Sequence, residues 1–212
     1  MTHAFDWSSP ITYTQEIDLD TYLEMPEDVS RRVEIKDGFV VVCESPSPNH
    51  NAIADNIKTA LREALPDRST GAPCLRINGD IDLLVSEVPF HYKRPDAIVY
   101  RCITEDRPRW KRKPTIADTL IVVEIVSPGT VTADLIDKRA EYARFGVPQY
   151  WIVRMANDDG PAVMIEMLRL ASDGAYTTHR VAHRADSFDT AIEMIDPFKV
   201  TITWDRLDEG VD

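Results

Sequence analysis

The chain has 212 residues, 43% hydrophobic and 28% charged, with a formal net charge of −12. That is enough chain for one sizeable core, and no apolar run is long enough to span a bilayer. The acidic balance excludes a protein that coats nucleic acid by bulk charge, but not an enzyme that meets a phosphate backbone locally through a metal ion.

In chain order, MTHAFDWSSP lacks a basic start followed by an apolar core, so no signal peptide is expected and the setting is read as cytoplasmic. LDTYLEM predicts a short helix stopped by Pro26. RRVEIKDGFVVVC alternates, with Val33 and Ile35 on one side and Arg32, Glu34 and Lys36 on the other, and Asp37-Gly38 marks a hairpin over residues 31–43. After the loop SPSPNH, a helix is predicted from Ile53, Ile57, Ala60, Leu61, Ala64 and Leu65, ended by Pro66. Short strands are predicted at 73–77 and 80–86, and another begins at RPDAIVYRC, where Pro95 suits a first position because it has no N–H for the ladder.

Residues 103–118 read as a polar loop containing RPRWKRK. Its Arg109, Lys111, Arg112 and Lys113 allow two readings: a solvated face, or a phosphate contact with Trp110 available for stacking. TLIVVEIVSPGT follows, an apolar strand closed by Ser127-Pro128-Gly129. DLIDKRAEYARFG predicts a helix ending at Gly146, and VPQYWIVR a strand parallel to the preceding one if the helix is a right-handed crossover. Segments 162–170, 175–182 and 198–204 read as antiparallel strands. The expectation is one α/β (α+β) domain over 1–212, a mixed sheet flanked by helices. Cys43, Cys74 and Cys102 form no CxxC pair and are read as reduced thiols, without a zinc site.

Four ionisable residues stand out by position. Glu34 is on the hairpin, Asp96 opens a strand, Glu124 interrupts an apolar strand, and Lys138 is on the helix after it. Carboxylates on adjacent strands can hold a divalent cation whose remaining ligands are water or phosphate, an arrangement suited to Mg²⁺. A nearby lysine lowers the cost of an acidic cluster and can orient a water. A buried Glu124 could equally be an ion-pair partner without a catalytic role. Tyr142, one turn beyond Lys138 on the same helical face, is expected to serve packing, with a hydrogen bond in the site as the alternative, and His50 to serve the start of its helix.

RPD at 94–96 followed by VVEIV at 122–126 resembles the PD-(D/E)xK nucleases, the restriction-endonuclease-like fold. The commonest motif has its lysine two residues after the glutamate, where this chain has Val126. RRVEIKDGFVV, SPSPNHNAIADNI, RPDAIVY, LIVVEIVSPGT and DKRAEYARFGVPQYWIV resemble, in order and spacing, the bacterial Uma-two family, a branch of that superfamily described as endonucleases. The resemblance runs over roughly residues 20–155. It implies Asp96 and Glu124 as ligands of Mg²⁺ or Mn²⁺, Lys138 as a catalytic cation moved onto the following helix, and Glu34 as an additional acidic residue. It implies a metal-dependent endonuclease acting on DNA, or else a non-catalytic member of the fold that binds nucleic acid or protein. A homodimer is expected by analogy with enzymes that cut both strands. Glu34-Ile35-Lys36 spells ExK literally, but it precedes the PD strand, and Lys36 beside a hairpin turn is expected to be solvated.

Overall fold

The structure is a computed structural model that describes residues 16–212 except 44, 68, 70 and 129–132, and the side chains of 133–135 also lie outside it. Gly129, expected to help close the central strand, falls among the undescribed residues, as does the N-terminal stretch read for a leader.

Helix α1 (Leu19–Leu23) is capped by Asp18, whose carboxylate accepts the Thr21 N–H at 2.8 Å, and α2 (Glu27–Ser30) follows. Strands β1 (Val33–Lys36) and β2 (Phe39–Val42) form the expected hairpin. Asp37 and Gly38 both have positive φ, 51° and 86°, as a two-residue turn between twisted strands requires. Helix α3 (Pro48–Glu63) begins at a Ser47 cap with proline in its first turn, and buries Ile53, Ile57 and Leu61. Strands β3 (Leu75–Asn78), β4 (Leu83–Glu87), β5 (Phe90–Lys93), β6 (Ala97–Arg101) and β7 (Thr119–Val126) come next. Helix α4 (Ala133–Arg144) connects β7 to β8 (Gln149–Met155). The chain closes with β9 (Ala162–Leu170), β10 (Tyr176–His183), β11 (Ala191–Met194), β12 (Val200–Thr203) and α5 (Trp204–Leu207).

The main sheet runs β10-β9-β8-β7-β6-β3, with β7 and β8 its parallel pair, as a crossover through α4 demands. Its faces are separated by the period of two along β7. Ile121, Val123 and Ile125 join α3 in one core, whereas Val122 and Val126 join Tyr142 of α4 and Tyr150 of β8 in another. A second sheet, β2-β1-β5-β4, packs its aromatic side on α1 through Tyr22, Phe90, Tyr92 and Trp110. Among the described residues no helix is long and apolar enough to cross a membrane.

Two strands were not anticipated. In β5, Phe90, His91, Tyr92 and Lys93 are all buried, so no alternation marks it. Strand β11 pairs only with β12 and lies in a segment of mixed polarity. The thiol reading is corrected for two of the three cysteines. Cys74 and Cys102 are disulfide-bonded, 28 residues apart in sequence, with Cα atoms 5.3 Å apart. They flank the paired ends of β3 and β6, where Leu75 lies opposite Arg101, and this juxtaposition comes from strand pairing that no local spacing reveals. Cys43 is free and half-buried.

Candidate active site

Glu124 is 5% exposed and lies on the α4 side of β7, where an even-numbered position must point. Both of its oxygens are engaged. Lys138 Nζ donates to Oε2 at 3.0 Å, and the Tyr142 hydroxyl donates to Oε1 at 2.7 Å. The two donors are four residues apart on α4, one above the other on its inner face. Burial raises the Glu124 carboxyl above its ordinary pKa; the Lys138 ammonium opposes this, while the Asp96 and Glu34 carboxylates add to it. The cation that compensates the buried carboxylate is therefore Lys138. Tyr142 packs, as expected, and it also makes the hydrogen bond into the site that the sequence left as the lesser alternative, orienting the carboxylate.

Asp96 sits just before β6. Ala97 pairs with Val123, and the same antiparallel register carried one step further sets Asp96 opposite Glu124. Its Oδ2 accepts the Ile125 N–H at 2.6 Å, and His50 Nε2 stands 3.4 Å from the same oxygen and 3.2 Å from the Ile125 carbonyl. Burial disfavours the His50 imidazolium, but Asp96 and the Ile125 carbonyl outweigh it and raise the ring's pKa. His50 thus does more than start a helix: it joins α3 to the Asp96 carboxylate. Gly79 lets the backbone approach. A Cβ there would lie 1.9 Å from the Asp96 carbonyl oxygen.

Glu34 reaches the same region from β1. Its Oε1 accepts the Arg94 N–H at 2.7 Å, and its Oε2 is 3.8 Å from Lys93 Nζ. Lys93 is 4% exposed, bonds Glu141 of α4 at 2.8 Å, and lies 5.7 Å from the centroid of the Tyr142 ring. Lys36 also turns to Glu141, at 2.5 Å. The literal ExK lysine is thus not simply solvated: it is 41% exposed and held by Glu141, on the helix that presents Lys138 to Glu124. The sequence does not mark Lys93, because it ends a fully buried strand without alternation, just before the RPD motif. The one available signal is a lysine set between aromatics and that motif. Arg94 bridges Asp80 at 2.8 Å and Asp82 at 2.5 Å, fixing the segment that leads into Asp96.

In the basic loop, the stacking reading of Trp110 is corrected. The indole is 2% exposed, packs against Tyr22, and donates to the Pro114 carbonyl at 3.0 Å. An aromatic among charged residues looks exposed in sequence; here it closes the second sheet's core. Arg109, Lys111, Arg112 and Lys113 are exposed, and three of them have acidic partners: Arg109 with Asp20, Arg112 with Asp106 at 2.6 Å, and Lys113 with Asp82 at 2.5 Å.

Among the described residues no group of three or more His, Cys, Asp or Glu side chains is poised as a complete metal cage. The donor set fits a cation that needs few protein ligands. Asp96 and Glu124 are all-oxygen donors from adjacent strands, suited to Mg²⁺ or Mn²⁺ with water filling the shell. The strain that Asp96, Glu34 and burial impose on Glu124 is the kind a divalent cation relieves.

A family model described as "Uma2: Putative restriction endonuclease" matches residues 19–196. A crystal structure from Anabaena variabilis ATCC 29413, described as a "putative nuclease belonging to DUF820", superposes with a TM-score of 0.64 at 15% identity, covering 92% of this chain and 99% of that one. At that identity the likeness speaks to the fold. No curated protein matches.

Proposed function

The chain belongs to the Uma2 family, and from that premise we propose that it is a divalent-metal-dependent endonuclease that hydrolyses phosphodiester bonds of DNA. The observation that carries the proposal is the buried Glu124, opposite Asp96 in the β6–β7 register and bonded to Lys138 of the crossover helix. Asp96 and Glu124 would hold Mg²⁺ or Mn²⁺. When bound, the cation supplies charge neutralisation and Lewis-acid polarisation of the phosphodiester. The chain's own residues do the rest. The Ile125 N–H and His50 hold the Asp96 carboxylate in place. Tyr142 fixes the orientation of Glu124. Lys138, on a flexible stem, hydrogen-bonds the attacking water and balances charge as it develops on the phosphate. Glu34 adds a third carboxylate at the edge of the site, steadied by Arg94 and Lys93.

Cutting both strands needs two such sites, so the proposal extends to a homodimer. The edge strand β2 offers a surface for it, with Phe39, Val41 and Val42 exposed. The proposal also places the chain in the cytoplasm, where DNA is found.

One observation favours a second reading, a non-catalytic nucleic-acid- or protein-binding member of the fold: Lys138 and Tyr142 already engage both Glu124 oxygens. Assays on plasmid, single-stranded and branched DNA with Mg²⁺ or Mn²⁺ separate the two. The endonuclease cuts at least one substrate only with metal, and Glu124→Ala lowers the rate by roughly 10²-fold or more. Absence of cleavage on all three, with no effect of metal on the protein's melting, supports the binding module.

A further inference from the structure

A cavity of about 690 Å³ opens at the C-terminal ends of β7 and β8, lined among the described residues by Val126, Pro128, Met155, Met164, Arg154 and Arg184. Its volume is that of a small-ligand site. The walls are mostly apolar, yet a guanidinium is built into them. Arg154 lies beside Val126 in the parallel β7–β8 register, two residues along from the pair Glu124 and Ile152. The period of two therefore puts Arg154 on the same face of the sheet as Glu124. Two residues along one strand and one strand across is a separation of about 8 Å between Cα atoms.

Arg154 differs from the ion-paired arginines of this chain. Arg107, Arg139, Arg180, Arg184 and Arg206 each face a carboxylate, as expected where acids outnumber bases. Among the described residues Arg154 shares the lack of such a partner with Arg32, Arg62, Arg76, Arg101 and Arg144, but unlike theirs its Nε is shielded from solvent without a hydrogen bond. An unpaired donor of this kind costs stability. A planar fork of donors left open beside apolar walls matches the chemistry of a phosphate oxygen next to a base.

We propose that this cavity seats the nucleotide flanking the scissile bond, with Arg154 holding its backbone phosphate and Val126, Pro128, Met155 and Met164 enclosing an unpaired base. This inference rests on the nuclease reading of the Glu124 site and names how that site takes its substrate. It also predicts a preference for single-stranded or branched DNA over duplex, because only an unpaired base can enter.

The test compares the wild type with Arg154→Met and Met164→Glu. Met164 lies opposite Arg154 in the β8–β9 register, so a glutamate there supplies the missing carboxylate. Steady-state cleavage of a fluorescein-labelled branched oligonucleotide, its salt-dependent binding and thermal melting are measured together. In both variants KM should rise about tenfold with kcat little changed, and the slope of log K against log salt should fall by about 1. Melting temperature should hold or rise, which a merely structural arginine would not allow. Met164→Glu keeps the test open should Arg154→Met fail to fold. If the wild type cuts and the variants match it in KM and salt slope, the cavity assignment is overturned and the nuclease stands. If the wild type neither cuts nor binds DNA, the nuclease reading fails, and this inference with it.

Discussion

A buried carboxylate is tolerated only where its charge is met, and at Glu124 the meeting group comes from another element. Glu141, one turn beyond Lys138 on α4, solves the converse problem by meeting the ammonium of the buried Lys93. Burial pushes the Glu141 carboxyl up, but Lys36 and Lys93 outweigh it and hold it below the ordinary glutamate value of 4.5. A carboxylate whose folded pKa is depressed stabilises the fold above the unfolded value and loses that contribution as pH falls through the folded one. Glu141→Gln should therefore lower stability at pH 7 by about 2–3 kcal/mol. It should also flatten the loss of stability below pH 4.5, measured by urea unfolding across pH. An unchanged acid limb would contradict the pairing. At this scale the sequence disclosed residues that break a pattern: Glu124 inside an apolar run, and Asp96 after a proline. It hid those whose role depends on a distant partner. Lys93 and His50 have meaning only once β5 and α3 are docked, whereas the Tyr142 hydroxyl could be suspected from its spacing to Lys138 alone.

The elements were legible where local chemistry is strong. The alternation around Asp37-Gly38, the apolar spacing in α3 and the crossover from β7 through α4 to β8 each follow from a short window. Strand β5 was not, because full burial removes the period-two signal and because its His91 and Lys93 read as polar. The Cys74–Cys102 bond was misread for a related reason, since it depends on the β3–β6 register. The join between elements that matters most for the site is the approach of Gly79 to Asp96. Gly79→Ala places a methyl against the Asp96 carbonyl oxygen, at 1.9 Å unless the backbone moves. The expected cost is about 1–3 kcal/mol in a urea midpoint, together with a smaller rise in melting temperature on adding Mg²⁺, because Asp96 shifts. A variant as stable as wild type with a full metal response would contradict the close packing.

Across the whole molecule, a net charge of −12 means that a nucleic-acid substrate would be approached against repulsion and that positive charge would have to be concentrated at the contact. The 107–113 loop is less available than its composition suggests, because Arg109, Arg112 and Lys113 already face Asp20, Asp106 and Asp82. If it contributes to binding, neutralising Arg109, Lys111, Arg112 and Lys113 together should lower the salt slope by about 1, not by the ~3.6 that four free charges would give. A larger drop would show that DNA displaces the acidic partners; no change would make the loop a solvated surface.

The central claim is that the lysine of the site has moved from the glutamate's own strand to α4. Plasmid cleavage with Mg²⁺ by Lys138→Ala and Lys36→Ala, each beside a melting curve with and without metal, tests it most directly. Lys138→Ala should lose roughly 10²-fold or more in rate while retaining the metal-induced rise in melting temperature, and Lys36→Ala should keep most of the activity. Cleavage by Lys138→Ala at the wild-type rate, or its loss in Lys36→Ala alone, would contradict the account.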